Sequence, residues 1–173
     1  MEKRIVVIGV TGAGKTTFAR ELAHRLGCRH IEMDALYWLP DWVESSTEQF
    51  REQVAAAVAG DAWVIDGNYS KVRDIVWTKA DTVIWLDYPL PLILWRLIKR
   101  TIHRIMSQEE LWNGNRERWQ NQFTRDSLIL WALGSYGRHQ HTYPTLFQQR
   151  EYSQLTVIRL RSPKAADEWL RNC

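Results

Sequence analysis

The sequence predicts an α/β fold of three layers, in which a five-stranded parallel sheet is flanked by helices. Two observations support this prediction. Short runs rich in β-branched residues alternate along the chain with longer segments of helical periodicity, an arrangement typical of parallel sheets with helices on both faces. The first run, Ile5 to Ile8, is apolar on both faces of the strand, as expected for a strand inside such a sheet.

The chain as a whole has the composition of one globular domain. Its 173 residues are 45% hydrophobic and 25% charged, which is ordinary for such a domain, and we predict a single domain over residues 1–173. No apolar run approaches the roughly 20 residues of a membrane-spanning helix, and we expect no signal peptide before the first strand. Cys28 and Cys173 suggest neither a disulfide framework nor a metal site. We therefore expect a cytoplasmic protein without a membrane partner, and its oligomeric state stays open.

A glycine-rich loop follows the first strand and leads into a helix that Gly27 is placed to end. Gly9, Gly14, Lys15 and Thr16 match every fixed position of the pattern G-x-x-x-x-G-K-[ST]. In such a loop successive backbone amides form a nest for an anion, and the helix N-terminus adds partial positive charge. A glycine-rich turn without a ligand is the alternative. We predict that the loop binds the phosphates of ATP through Gly9, Thr11, Gly12, Ala13, Gly14, Lys15, Thr16 and Thr17.

Two side chains of this loop have predicted chemical roles. Lys15 can reach the β- and γ-phosphates, where its charge would stabilise the transferring phosphoryl group. The hydroxyl of Thr16 is placed to coordinate Mg²⁺. The sequence therefore predicts a site for a nucleotide and a magnesium ion.

The remaining elements follow in order along the chain. Strands are predicted at 29–34, 63–67, 82–87 and 155–160. Helices are predicted at 15–26, 50–58, 91–106, 117–133 and from 163 onward. Ser162 is expected to cap the last helix, with Pro163 at its first position. Residues 69–77 could form a short helix or a loop, and residues 134–144 are left unassigned.

Three aspartates lie at the predicted carboxyl ends of strands, namely Asp34, Asp66 and Asp87. In open α/β sheets, ligands bind at this edge. A single acid at a strand end is often a turn or helix cap, but three at the edge that carries the glycine loop favour a functional role. Asp34 could orient an acceptor hydroxyl or take its proton.

These segments together resemble the P-loop kinases of the nucleoside-monophosphate-kinase type, and more narrowly the adenylate-kinase-related proteins known as DNA topology modulation proteins. The resemblance covers essentially the whole chain and rests on residues 9–16, 34–38, 63–69, 83–87 and 160–163. It implies a P-loop kinase fold with a short helical lid at about 107–118 and an acceptor-side insertion at about 35–60. It also implies an ATP- and Mg²⁺-dependent phosphotransferase that acts on a small-molecule acceptor.

The resemblance assigns further site residues. It implies that Asp66 belongs to the magnesium shell, directly or through water, that Arg96 packs on adenine and that Arg100 holds phosphates. Ser162 and Pro163 would border the adenine. The predicted catalytic residues are Lys15, Asp34, Asp66, Arg96 and Arg100, and the predicted metal ligands are Thr16 and Asp66.

The acceptor side departs from the adenylate kinases. Those enzymes hold the acceptor's phosphate with two arginines, and the matching positions here are Tyr37 and Ser70. Lys71 or Arg73 could substitute. We therefore expect an acceptor other than AMP. The aromatic run Tyr37, Trp38 and Trp42 could form a wall for a flat or apolar group, or it could be core.

A basic segment supports the alternative function. The sequence concentrates positive charge in the long predicted helix at Arg96, Lys99, Arg100, His103 and Arg104. This stripe could be a solvated face, a surface for a polyanion or an arginine clamp for a phosphoryl group. The alternative function is therefore a nucleotide-gated regulator that binds nucleic acid. A net charge of +3 is a weak signature for that function.

Overall fold

The computed structural model of the chain describes residues 3–116 and 128–173, with only the backbone for residues 128 and 129. Its strands are β1 (Arg4–Gly9), β2 (Arg29–Glu32), β3 (Trp63–Asp66), β4 (Thr82–Leu86) and β5 (Thr156–Leu160). They form one sheet in the order β2-β3-β1-β4-β5, and every neighbouring pair is parallel. The predicted five-stranded parallel sheet is confirmed.

Helices cover both faces of this sheet. In the described part of the chain they are α1 (Lys15–Leu26), α2 (Met33–Tyr37), α3 (Thr47–Ala57), α4 (Arg73–Trp77), α5 (Leu90–Ser107), α6 (Leu128–Phe147) and α7 (Pro163–Arg171). Short 3-10 turns lie at Pro40–Trp42, Ser70–Val72, Trp112–Gly114 and Arg150–Tyr152. Within the described ranges, no helix has the length and apolar character that crossing a membrane requires.

The central strand β1 divides the protein into two cores. Ile5 and Val7 belong to a core formed with α1, α5 and α7. Val6 and Ile8 belong to the opposite core, formed with α3, α4 and the later part of α6. Each of these four side chains is at least 96% buried, with exposures of 0 to 4%, and burying such a side chain stabilises the fold by about 1.5–3 kcal/mol. The apolar character of β1 on both faces is thus explained by two helical layers.

The prediction that the second strand runs to Asp34 is wrong. β2 ends at Glu32, which pairs with Asp66 at the end of β3. Because β2 is an edge strand with β3 as its one neighbour, the chain beyond Glu32 has no strand to pair with and turns into α2. Gly67 permits this turn, since a Cβ there would lie only 2.8 Å from the Cβ of Met33. Asp34 therefore lies in a helix and not at a strand end.

The region between α5 and β5 also differs in part from the prediction. The sequence predicts no element for residues 134–144. The structure shows that they are helical within α6, and Pro144 lies inside that helix. Of the predicted helix 117–133, residues 117–127 lie outside the described residues. The described part of the predicted lid, residues 107–116, forms an antiparallel bridge between Glu110 and Arg116 around a 3-10 turn. Residues 117 and 118 of that prediction also lie outside the described residues.

Candidate active site

The glycine loop connects β1 to the N-terminus of α1. Gly12 has a φ of 87°, and a Cβ there would lie 2.9 Å from the carbonyl oxygen of Ile93 in α5. Gly14 has a φ of 92° and immediately precedes α1. Side chains are disfavoured at both positions. The N–H groups in the first turn of a helix have no partner within the helix, so this loop and the start of α1 form a site suited to an anion.

Lys15 lies at the centre of the candidate site. Its Nζ donates to the carbonyl oxygen of Val10 at 3.3 Å. Burial lowers the pKa of Lys15, the carboxylates of Asp34 and Asp66 oppose that effect, and the charge of Arg100 adds to it. The structure therefore brings these predicted catalytic residues within electrostatic reach of the lysine.

Asp66 at the end of β3 links the loop to the edge strand. It is only 4% exposed, and its Oδ2 accepts a hydrogen bond from the Thr16 hydroxyl at 2.7 Å. Its other oxygen, Oδ1, lies 2.8 Å from Nε2 of His30 in β2. Thr16 and Asp66, the two predicted metal ligands, are thus in contact. Sequence reasoning missed His30, since nothing local indicates that β2 pairs with β3.

Asp34 is placed beside Lys15 by α2, although it lies in a different element from the one predicted. The hydroxyl of Tyr69 donates to its Oδ1 at 2.5 Å. Burial raises the pKa of Asp34, and the hydrogen bond from Tyr69 and the charge of Lys15 oppose this rise. Tyr69 was not predicted as a site residue. It is the last residue of the segment 63–69 that carries the family resemblance, which is the signal that could have identified it.

Asn68 joins the same segment to the glycine loop. Its Oδ1 accepts a hydrogen bond from the backbone N–H of Gly9 at 3.1 Å, and its Nδ2 donates to the carbonyl oxygen of Gly9 at 2.5 Å. Sequence reasoning did not assign a role to this side chain. These two hydrogen bonds hold residues 67–69 beside the start of the loop.

Arg96 and Arg100 lie one turn apart on α5. Nη1 of Arg96 donates to the carbonyl oxygen of Ala13 at 3.4 Å, and its guanidinium lies 5.5 Å from the centre of the Tyr88 ring. Arg96 therefore covers the loop. Arg100 is close enough to Lys15 to influence its pKa. Arg96 thus lies over the candidate phosphate site, and Arg100 lies near its lysine.

The other basic residues of α5 have different environments. Lys99 is exposed, and its ammonium lies 5.3 Å from the centre of the Trp95 ring. Arg104 lies 3.6 Å from Glu109, measured from Nε to Oε2. The basic stripe in the sequence is therefore divided between the site and the surface.

Asp87, the third predicted strand-end aspartate, is not part of this cluster. Its Oδ2 forms a 2.6 Å ion pair with Nη2 of Arg159 in β5, and its Oδ1 accepts a hydrogen bond from Gln140 in α6. This carboxylate connects β4, β5 and α6, so its role is structural.

The predicted cap of the last helix is confirmed. The side chain of Ser162 accepts a hydrogen bond from the N–H of Ala165 at 3.2 Å, and Pro163 is the first residue of α7. The proximity of Ser162 and Pro163 to an adenine remains a prediction.

Of the two cations that could replace the acceptor arginines, Lys71 is already bound. Its Nζ donates to the Tyr37 hydroxyl at 3.1 Å and lies 3.8 Å from Glu44. Tyr37 is 6% exposed, and its hydroxyl donates to Glu44 at 2.5 Å. Tyr37 is therefore part of the core, and Lys71 completes a local network there.

Arg73 faces a pocket instead. Its guanidinium lies 5.3 Å from the centre of the Trp77 ring, and neither an ion pair nor a hydrogen bond of its side chain is found in the described part of the chain. Asp74, its neighbour in sequence, is held by two hydrogen bonds from Arg51 at 2.9 and 2.7 Å. The pocket is lined by Arg73 together with Gly67, Asn68, Tyr69, Trp77 and Tyr143.

Comparison with known proteins agrees with this architecture. The model of the ATPase family associated with various cellular activities (AAA) matches residues 5–87. Threonine synthase-like 1 of Mus musculus is 31% identical over 122 residues, which are 62% of this chain and 16% of that protein. The chain thus spans about a sixth of the length of this relative. Shikimate kinase of Synechococcus elongatus is 28% identical over 136 residues, covering 66% of this chain and 72% of that enzyme.

A solved structure shows the same fold over nearly the full length. Shikimate kinase from Acinetobacter baumannii, in complex with shikimate, superposes with a TM-score of 0.59 at 18% identity, covering 99% of this chain and 90% of that one. The alternative of a nucleic-acid-binding regulator receives no support from these comparisons. The glycine loop, the order of the strands and this structural likeness together show that the chain has the nucleoside-monophosphate-kinase-like P-loop fold.

Proposed function

We propose that this protein is an ATP- and Mg²⁺-dependent phosphotransferase that transfers the γ-phosphoryl group to a hydroxyl of a small-molecule acceptor. The observation that carries the proposal is the proximity of Asp34 to Lys15, since the charge of each affects the pKa of the other. A carboxylate placed beside the loop lysine could orient an acceptor hydroxyl and take its proton. As ATP is its co-substrate, we place the reaction in the cytoplasm.

The nucleotide would be held by backbone and side-chain groups that the fold already positions. The amides of residues 9–17 would bind its phosphates, with Lys15 and Arg100 neutralising their charge and Arg96 and Ser162-Pro163 near the base. The donors beside the loop are a hydroxyl and a carboxylate, from Thr16 and Asp66. Oxygen donors of this kind suit Mg²⁺, which keeps few protein ligands and relies on phosphate oxygens. When bound, the ion would supply charge neutralisation between the phosphates.

The chemistry requires positioning and charge stabilisation rather than covalent catalysis. Asp34 would accept a hydrogen bond from the acceptor hydroxyl and take its proton as the new P–O bond forms. The bond between the γ-phosphorus and the β–γ bridging oxygen breaks in the same step, and ADP leaves. Burial raises the pKa of Asp34, which makes it a stronger proton acceptor. Tyr69 and Lys15 counteract that rise and so favour the ionised form that the reaction needs.

The side chains around Asp34 and Arg73 favour a small hydroxy acid as the acceptor. The cavity that Arg73 lines has room for about one water molecule, so an acceptor would enter only as these side chains move apart. Tyr69 both holds Asp34 and lines the pocket that Arg73 faces, so a hydroxyl at Asp34 and an anionic group at Arg73 can belong to one molecule. Asn68 connects the same pocket to the glycine loop. The guanidinium of Arg73 could bind a carboxylate through two parallel hydrogen bonds. The related Synechococcus elongatus enzyme is a shikimate kinase, whose named substrate has this chemistry.

The electrostatics around the pocket support an anion. Burial lowers the pKa of His139 to about 4, and the positive charges of Lys15, Arg138 and Arg73 contribute to that lowering. His139 is therefore neutral near pH 7, and it stacks on Tyr143, which lines the pocket, with ring centres 4.6 Å apart. Lys15 of the loop and Arg73 thus both contribute positive potential near His139, where a negative group would be stabilised.

A coupled assay of ADP release tests the proposal. ATP and Mg²⁺ would be supplied with shikimate, other small hydroxy acids, neutral polyols or AMP. We expect ADP release to depend on a hydroxy acid and to be weak or absent with AMP. Efficient turnover of AMP would instead indicate ordinary adenylate kinase chemistry. Turnover of neutral polyols but of no acid would contradict the role of Arg73 while leaving phosphotransfer intact.

A further inference from the structure

A chain of polar contacts runs from the segment after α5 to Asp66. Nε1 of Trp112 donates to Oε2 of Glu32 at 2.8 Å. Oε1 of Glu32 lies 3.8 Å from Nδ1 of His30, and Nε2 of His30 lies 2.8 Å from Oδ1 of Asp66. The far oxygen of Asp66 accepts the hydrogen bond from Thr16. Four consecutive contacts thus join Trp112 to the glycine loop.

The register of the sheet makes this chain of contacts possible. In the parallel pairing of β2 with β3, Glu32 is opposite Asp66 and His30 is opposite Val64. His30 and Glu32 are two residues apart on one strand and therefore share a face of the sheet. The side chains of His30 and Asp66 are only 14% and 4% exposed. Because a carboxylate can only accept hydrogen bonds, His30 donates from Nε2, and the orientation of Asp66 is set by two donors.

Glu32 is in turn held by two donors from different parts of the chain. Besides Trp112, Nη2 of Arg20 in α1 donates to its Oε1 at 2.9 Å. Docking of the segment that carries Trp112 therefore supplies one of the two donors that hold Glu32 near His30.

That segment is docked by hydrogen bonds onto the residues after α2. The side chain of Asn115, which is 3% exposed, accepts from the N–H of Trp42 at 2.8 Å and donates to the carbonyl oxygen of Leu39 at 2.9 Å. Asn113 donates to the carbonyl oxygen of Trp38 at 2.6 Å. These hydrogen bonds hold the 3-10 turn in place, and Trp112 is part of that turn.

We infer that His30 and Glu32 are positioning residues through which docking of Trp112 orients the carboxylate of Asp66 for Mg²⁺. This inference rests on the magnesium site of the proposed function. His30 would fix the carboxylate rotamer directly through its 2.8 Å contact. Glu32 lies 3.8 Å from Nδ1 of His30 and would restrict where the ring can lie without a hydrogen bond to it. When the Trp112 segment is displaced, Glu32 loses one of its two donors, and Asp66 is held less firmly. Such outer partners of a metal ligand commonly change metal affinity.

The test measures binding of ADP by calorimetry, with Mg²⁺ and with a chelator, so that no acceptor is needed. His30→Ala should weaken ADP binding about tenfold in Mg²⁺, within the range usual for outer-shell partners, and leave metal-free binding unchanged. His30→Gln can place an N–H donor near the same point and should restore part of the loss. Equal weakening with and without Mg²⁺, or no rescue by glutamine, would overturn the inference.

Trp112→Phe keeps the ring but removes the N–H donor to Glu32. We expect a smaller Mg²⁺-specific loss, which should disappear when His30 is already alanine, because contacts in one network are not additive. Trp95→Phe is the control, since it makes the same change at a 59% exposed position of α5 that lies outside this chain of contacts. Losses for Trp112→Phe that are equal in both backgrounds, or matched by Trp95→Phe, would overturn the coupling.

The outcomes separate this inference from the proposed function. ADP binding that responds to Mg²⁺ and to these variants as expected would support the inference even if no acceptor were phosphorylated. Binding by the unmodified protein that does not depend on Mg²⁺ would overturn it, whatever phosphotransfer is found.

Discussion

The hydroxyl of Tyr69 donates a 2.5 Å hydrogen bond to Oδ1 of Asp34, and this contact joins the loop after β3 to α2 beside the glycine loop. It gives Asp34 a fixed orientation and favours its ionised form. Two changes separate these effects. Asp34→Asn removes the proton acceptor and should lower kcat by about 100-fold, the lower range for a general base. Tyr69→Phe keeps the ring and should cause a smaller loss.

The pH profile of Tyr69→Phe gives a second readout. The active form of Asp34 is the carboxylate, which is lost as pH falls through its pKa. The bond from Tyr69 lowers that pKa, so its removal should raise it, and the acidic limb of kcat/KM should move to higher pH. A lower kcat with an unmoved limb would mean that Tyr69 acts only by packing.

Lys15→Ala should abolish phosphotransfer without unfolding the protein. Removing one donor that stabilises transition-state charge costs about 100-fold or more in kcat, and the hydrogen bond from Lys15 to the carbonyl oxygen of Val10 lies within the glycine loop. Turnover in the coupled assay and thermal unfolding by circular dichroism would be compared. Lys79→Ala, at an exposed position after α4, is the control and should change neither. Wild-type turnover in pure Lys15→Ala would refute the assignment of the loop.

Arg100→Lys tests whether α5 contributes to the phosphate site. Lysine keeps the charge but lacks the planar fork that binds two phosphate oxygens. We expect kcat to fall by about tenfold, corresponding to roughly 1.4 kcal/mol, with a smaller effect on the affinity for ADP. Lys99→Arg is the control. It changes the exposed residue that precedes Arg100 and should leave kcat unchanged. Unchanged kinetics in Arg100→Lys would place this arginine among ordinary surface charges.

Arg73→Gln should raise KM for a hydroxy acid and leave KM for ATP unchanged. Losing a hydrogen bond between charged groups costs about 1.5–3 kcal/mol, which is about 10- to 100-fold in KM. Lys71→Gln is the matched control, because Lys71 is bound to Tyr37 and Glu44 and should leave both constants near wild type. If Lys71→Gln raised KM for the acid and Arg73→Gln did not, the anionic group would bind Lys71 and the proposed role of Arg73 would be wrong.

Asp87→Asn should affect stability and not catalysis. The carboxylate is paired with Arg159 and Gln140, and weakening these contacts should lower the free energy of unfolding by about 1–3 kcal/mol. Urea unfolding measures this change. Kinetic constants should stay at wild-type values, in contrast to those of Asp34→Asn. A loss of kcat without a loss of stability would return Asp87 to the active site.

The sequence was sufficient for features that depend on local chemistry. The spacing of Gly9, Gly14, Lys15 and Thr16 identified the glycine loop, because the backbone conformation it needs depends on glycine at those positions. The three inner strands β1, β3 and β4 were identified because a strand buried on both faces must be apolar throughout. The edge strands β2 and β5 are partly exposed and carry charged residues, so their ends were less clearly marked. The cap at Ser162 followed from the side-chain chemistry that helix N-termini favour.

Contacts between distant segments were decided by the tertiary structure. His30 meets Asp66 because β2 pairs with β3, and Asp87 meets Arg159 because β4 pairs with β5. Asp34 lies in α2 and not in β2, because β2 is an edge strand and its pairing with β3 ends at Glu32. Arg73 rather than Lys71 faces the pocket because Tyr37 and Glu44 engage the lysine. Each outcome depends on strand order and on competition between partners far apart in the chain, which local residue patterns do not encode.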